Sequence, residues 1–147
     1  MTRCYSPDLI MNTKLVPLPS AFTDERGYIQ TLLNDHKGSV VIISSVPHVE
    51  RANHYHKEDY HYCYILTGSI HYYERVVSSD DIPSFNTFYP GTMIYTPPMV
   101  EHTMYFDEPT TFITLGGGTR HQEDYESDLV RVDSLRTIYN LSIKKEQ

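Results

Sequence analysis

Short apolar or alternating runs, each closed by turn-forming residues, recur along most of the chain. They are YIQTLL (28–33), SVVIISSV (39–46), HYCYILTG (61–68), SIHYYERVV (69–77), TMIYT (92–96), EHTMYF (101–106) and TTFITL (110–115). Runs of this length, rich in β-branched and aromatic residues, read as strands. No long amphipathic helix separates them, which disfavours a βαβ sheet and leaves an all-β sandwich or barrel. Gly68 followed by Ser69 sits between two strong runs and predicts a tight hairpin, while SSDDIPS (78–84), YPG (89–91) and TPP (96–98) supply further turns. GGGTRHQ (116–122) lacks the strand-to-helix context of a nucleotide-binding loop and reads as a turn ending the strand region. Beyond it the chain is charged with a partly helical period, predicting a short helix or extended tail on the outside of the barrel. No repeat, low-complexity tract or linker interrupts this pattern, so residues 1–147 are expected to form one domain with a barrel core at about 22–116.

Composition adds limits. A chain of 147 residues buries enough surface to fold without disulfides or structural metal. A net charge of −7 argues against nucleic-acid or anionic-membrane surfaces, both of which need a basic footprint. Cys4 and Cys63 are far apart and outside any CxxC spacing, which suits free thiols in a reducing compartment. With no signal-peptide core and no apolar run of the ~18 residues a membrane span needs, a cytoplasmic protein is expected.

The candidate chemistry lies in NHYHKEDYHYCYILTG (53–68). Residues two apart on a strand share a face, so His54 and His56 project together and His61 can return beside them after a turn at 57–60. His102, just after the Pro97-Pro98 turn, is the fourth candidate. Neutral imidazoles gathered inside an apolar barrel suit borderline divalent metals: Fe, Zn, Mn, Ni or Cu. His36, His48, His71 and His121 are read as structural or surface residues.

Two stretches resemble the paired motifs of the cupin superfamily. His54-Tyr55-His56, four residues, His61, six residues and Gly68 follow the first motif, with His61 in the usual Glu position. Gly91, Pro97 and His102 follow the second. The resemblance implies a double-stranded β-helix, or jelly roll, with a site in the barrel mouth. FTDERGYI (22–29), RANHYHK (51–57) and the tail QEDYESDLVR (122–131) are similar to segments of nucleotide-sugar epimerase and ketoisomerase cupins. Ala52 stands where those segments commonly carry Gly.

That likeness implies Arg26 and Arg51 as contacts to substrate phosphate and His54 as the catalytic base. Keeping His54, His56, His61 and His102 all as histidine favours the metal-bearing capsule-type members. An epimerase also needs an acid opposite its base, for which Tyr62, Tyr64, Tyr95 and Tyr105 are candidates, Tyr62 and Tyr105 being put forward. The function expected is a metal-binding epimerase or isomerase of a nucleotide-linked keto sugar, and the resemblance implies a homodimer. A metal-dependent oxygenase or lyase, and a non-enzymatic sugar- or metal-binding cupin, are the alternatives.

Overall fold

The computed structural model describes residues 13–34, 36–119 and 121–146, and Cys4 lies outside the described residues. In chain order the elements are β1 (Lys14–Leu15), β2 (Phe22–Asp24), β3 (Gly27–Ile29), β4 (Ser39–Ser45), β5 (Val49–His56), β6 (His61–Thr67) and β7 (Ile70–Val76). There follow β8 (Ser84–Phe88), β9 (Met93–Thr96), β10 (Val100–Phe106), β11 (Thr110–Gly116), α1 (Gln122–Asp128), β12 (Leu129–Arg131) and α2 (Leu135–Glu146).

Two five-stranded antiparallel sheets face one another, ordered β1-β9-β6-β11-β4 and β12-β5-β10-β7-β8. Strands β4 to β7 alternate between the sheets, as do β8 to β11, which is the winding of a jelly roll. The all-β jelly-roll expectation is therefore met. The core is a set of inward residues from both sheets: Cys63, Ile65, Ile94 and Phe112 from the first, Ile70, Tyr72 and Phe106 from the second. Phe106 and Phe112 stack across the gap with centroids 5.9 Å apart.

Three local expectations need correction. Gly68-Ser69 does not make a hairpin: β6 pairs with β9 and β11, while β7 pairs with β8 and β10. Ile65 and Ile70 must enter one core from opposite sides, so the chain crosses between sheets instead of folding back. Gly68 makes this corner at φ +82°, where a Cβ would lie 2.3 Å from Thr110 Oγ1. The segment 22–29 forms its own two-stranded ribbon outside both sheets, while Lys14–Leu15, before the expected barrel start, pairs with β9 as the edge of the first sheet. Finally, β8 is a strand the hydrophobic pattern does not predict, and the run expected at 28–33 is strand only as far as Ile29.

The C-terminal segment does more than cover the barrel. β12 adds an edge strand to the second sheet, pairing Leu129 with His56 and Arg131 with His54. α2 then lies on the outer face of that sheet, with Tyr139 against Tyr73 and Arg136 over the Tyr105 ring at 3.7 Å. Among the described residues no helix is long and apolar enough to cross a membrane.

Candidate functional site

Strand β5 is bent just before the histidines. Opposite β10, His102 pairs with His54 but Thr103 pairs with Ala52, leaving Asn53 as the extra residue of a β-bulge. Ala52 and Asn53 both take positive φ, 68° and 53°. Asn53 suits this conformation and is tied down on both sides: its Oδ1 accepts from Thr103 Oγ1 (2.7 Å) and its carbonyl accepts from Val132 N–H (2.9 Å). The bulge aims Arg51 and His54 toward the same opening, and both line one cavity.

Period-2 alternation on β5, β6 and β10 brings His54, His56, His61 and His102 together, all buried. Ring centroids are 4.8 Å apart for His54 and His56, 4.9 Å for His54 and His102, and 4.5 Å for His56 and His61. His56 and His61 come from opposite sheets. Burial, followed by repulsion from His102, His56, His61 and Arg131, pushes the His54 imidazole down to about 2. Burial likewise pushes His102 down to about 4. Both rings are neutral at pH 7.

Hydrogen bonds orient two of the rings. His102 Nδ1–H donates to the Val100 carbonyl at 3.0 Å, and His56 Nδ1–H donates to Asp128 Oδ2 at 3.0 Å. For neutral His102 this leaves the lone pair on Nε2, the arrangement metal-binding imidazoles favour, and for His56 the carboxylate fixes the ring orientation. Asp128 is held in turn by Glu58 N–H (2.9 Å) and Asp59 N–H (3.2 Å). Burial alone would raise its carboxyl, but these bonds together hold it below the usual carboxylate range. Among the described residues, His56, Asp59 and His61 form a group whose donor atoms all lie within 4.8 Å of one another. His54 and His102 stand outside that group although their rings pack against it.

A cavity of about 140 Å³ sits among the histidines, with Arg51, Thr96 and Tyr125 also in its wall. It adjoins a cleft of about 430 Å³ that shares Arg51, His54 and Tyr125 and adds Arg131. On the other side, a cleft of about 580 Å³ is lined by acidic residues, among them Asp59, Asp124 and Asp128. Tyr125 borders all three spaces.

The structure thus brings His54, His56, His61, His102 and Arg51 to one place. Three other expected residues are elsewhere. Tyr62 alternates out of phase with His61 and packs outside the barrel on Tyr60 and Tyr95. Tyr105 is out of phase with His102 and sits under α2, with its hydroxyl 3.1 Å from His48 Nδ1. Arg26 is exposed on the β2-β3 turn, paired with Asp24, and lines none of the three spaces. Cys63 is a buried free thiol whose pKa burial pushes up, consistent with a core role.

Residues that reasoning from sequence missed are Tyr125, Asp128 and Arg131. Tyr125 lies with its ring centroid 5.5 Å from His56 and 6.5 Å from His54. All three belong to QEDYESDLVR, a segment whose resemblance to the ketoisomerase cupins was the available signal, although it assigned these residues no role.

Fold and site together define a jelly roll with a histidine-lined cavity. The solved structures it is similar to agree. A 3,4-ketoisomerase from Helicobacter canadensis matches with a TM-score of 0.69 at 16% identity, over 89% of this chain and 97% of that one. The sugar 3,4-ketoisomerase QdtA from Thermoanaerobacterium thermosaccharolyticum, in complex with TDP, matches with a TM-score of 0.64 at 18% identity, over 91% and 96%. The capsular polysaccharide assembling protein CapF from Staphylococcus aureus matches with a TM-score of 0.57 at 18% identity, over 80% of this chain but 32% of that one. A variant of QdtA is solved in complex with TDP-4-keto-6-deoxyglucose. No family model and no curated protein matches the sequence. At these identities the likeness establishes the fold.

Proposed function

We propose that the chain is an isomerase that moves the ketone of a nucleotide-linked 4-keto sugar to the neighbouring carbon, acting in the cytoplasm. The observation that carries this reading is the position of His54. It lines both the histidine cavity and the cleft bearing Arg51 and Arg131, with Tyr125 beside it. The shared fold with ketoisomerases solved with TDP and a TDP-keto sugar supports the substrate class.

In this reading the sugar ring enters the cavity and the diphosphate lies in the arginine cleft. Arg51 is already oriented by Nε–H donating to Ser45 Oγ (2.6 Å) and by Nη2–H donating to the Ser44 carbonyl (3.0 Å). Two guanidinium groups give an acidic protein a local grip on phosphate. The 4-ketone acidifies C3–H; the neutral His54 ring takes that proton, its basicity raised in this reading by the negative charge of the diphosphate bound in the adjoining cleft, leaving an enediolate across C3 and C4. Tyr125 donates a proton to the oxygen at C4, and return of a proton to C4 while the C3 hydroxyl loses its own gives the 3-ketone. The product is an isomer, so no oxidant or reductant is consumed.

A divalent transition metal such as Zn, Fe, Mn or Ni fits the imidazole and carboxylate donors here; with His54 kept as the base, His56 and His61 would hold it together with His102 or Asp59. Such an ion would supply a Lewis acid for the sugar oxygens. We also propose a homodimer formed through the outer face of the first sheet, where Val40, Ile42 and Leu66 are exposed; light scattering of the purified chain checks it.

The test is incubation with dTDP-4-keto-6-deoxyglucose and related nucleotide 4-keto sugars in deuterated buffer. Deuterium at the carbon beside the ketone, with a 3-keto product, is the expected result. No exchange across the panel, or stoichiometric iron with oxygen uptake, overturns the reading in favour of a metal-dependent oxygenase or a binding protein.

A further inference from the structure

The geometry points to a metal site that is off-centre in the histidine cluster, built from His56, Asp59 and His61, so that one carboxylate replaces two of the four expected imidazoles. Their donor atoms lie within 4.8 Å of one another. Around an ion with bonds of about 2.1 Å, tetrahedral donors stand roughly 3.4 Å apart, so small side-chain rotations close the set.

Each of the three side chains is positioned for this by its neighbours. Asp59 Oδ1 accepts from Tyr60 N–H (2.8 Å) and Gly118 N–H (2.9 Å), which turns Oδ2 to within 3.5 Å of His61 Nε2. His56 is held through Nδ1 by Asp128, and Nε2 is the atom the assignment gives to the metal. Asp128 also accepts from Asp59 N–H, so one carboxylate sets the geometry of two proposed ligands at once. Beside His61, Gly116 keeps the space open: a Cβ there would come within 3.0 Å of Nε2.

His54 and His102 are committed differently. His102 lies parallel to the ring of Tyr72 at 5.9 Å, and the Tyr72 hydroxyl is bonded to Thr96 Oγ1 at 2.8 Å. This fixes it as part of the cavity floor. His54 lines the arginine cleft, which His56, Asp59 and His61 do not. Two imidazoles and one carboxylate leave open coordination positions for substrate oxygens or water and suit Fe(II), Mn(II) or Zn(II). The arrangement also removes a conflict, because a histidine that binds metal through its lone pair cannot take a proton with it. The metal site stands on its own; only the use of His54 as base rests on the isomerase reading.

Cobalt(II) titration of the full chain, stripped with chelator, tests the assignment through bound metal and the visible spectrum, without turnover. One cobalt per chain is expected. Asp59→Asn keeps the Oδ1 acceptor but loses the ligand, and should weaken cobalt binding by more than the roughly 10–100-fold typical of removing an outer hydrogen-bond partner. His54→Gln should bind within about threefold of the parent with a superposable cobalt spectrum, so the site is also judged on a variant that leaves the three proposed ligands in place. Unchanged affinity in Asp59→Asn, loss of cobalt or a shifted spectrum in His54→Gln, or no cobalt bound by the parent overturns the assignment. Hydrogen exchange into keto sugars is read separately, so failure of the isomerase reading shows there and not in the metal data.

Discussion

Asp128 is the residue on which the loop 57–60 and the candidate site both depend, and Asp128→Ala should be among the most damaging single changes outside the core. Its carboxylate accepts from His56 Nδ1–H, Glu58 N–H and Asp59 N–H, at 3.0, 2.9 and 3.2 Å. Its side chain is 19% exposed and that of His56 only 3%. Truncation leaves a buried imidazole N–H and two backbone donors without their acceptor. At roughly 1 kcal/mol each, somewhat more for a charged acceptor, the loss comes to about 2–4 kcal/mol. For a domain of this length that lowers the melting temperature by about 6–12 °C. Urea unfolding should show the midpoint shift with an unchanged slope. Asp128→Asn should recover less than half, because its amide offers one acceptor where the carboxylate offered two. The pH dependence has a definite sign. The folded carboxyl is held below its ordinary value, so its contribution is complete above the unfolded pKa near 3.9 and is lost as pH falls through the folded value. The difference between parent and Asp128→Ala should shrink below about pH 4. A loss under ~1 kcal/mol, or a difference that grows in acid, refutes this account.

Ala52 at φ +68° is a strained non-glycine position, so Ala52→Gly should raise stability by about 1 kcal/mol, or about 3 °C in melting temperature, despite the greater freedom of glycine in the unfolded chain. Glu74 is buried facing the core, and burial raises its pKa even though Thr13 N–H donates to it at 3.0 Å. Its raised folded pKa means that its contribution is complete below the unfolded value and is lost as pH rises; Glu74→Gln should therefore be the more stable protein at pH 7, with the gap closing near pH 4 in denaturant titrations. Tyr125→Phe should lower kcat for keto-sugar isomerisation by about 10²–10⁴-fold with little change in KM, as removal of a proton donor does, and a matching rise in KM would mean that it only binds.

The histidine cluster was legible because it follows from local rules: spacing of two on β5, and motif positions on β6 and β10. Alternation also carried information that went unused. Tyr62 is one residue from His61 and Tyr105 three from His102, so both had to face outward if the histidines face in. The corner at Gly68 was not legible, because a glycine between two strands looks the same whether the strands pair or part into separate sheets. Nor were Tyr125, Asp128 and Arg131: they reach the site only because β12 adds to the edge of β5, a pairing across more than seventy residues that no local pattern announces. Arg26 has the opposite history, since a charged residue in a turn is satisfied by its neighbour Asp24 before any distant site can claim it.

Because the histidines come from both sheets, the site's dimensions are set by what holds the sheets apart. His54, His56 and His102 hang from the second sheet and His61 from the first, so the 4.5 Å between the His56 and His61 rings is a measure of sheet separation at the barrel mouth. Lower in the barrel the same gap is filled by Phe106 from one sheet and Phe112 from the other, both almost fully buried. Close-packed interiors transmit a change of volume to their surroundings. The apolar core is therefore part of the site's geometry, and it accounts for why one segment must do two things. The loop 57–60 carries the chain from the second sheet to the first, and it also carries Asp59 to the point where His56 and His61 meet. Anchoring that loop to Asp128 fixes the crossing and the donor group together. The same hydrogen bonds serve the fold and the chemistry proposed for it.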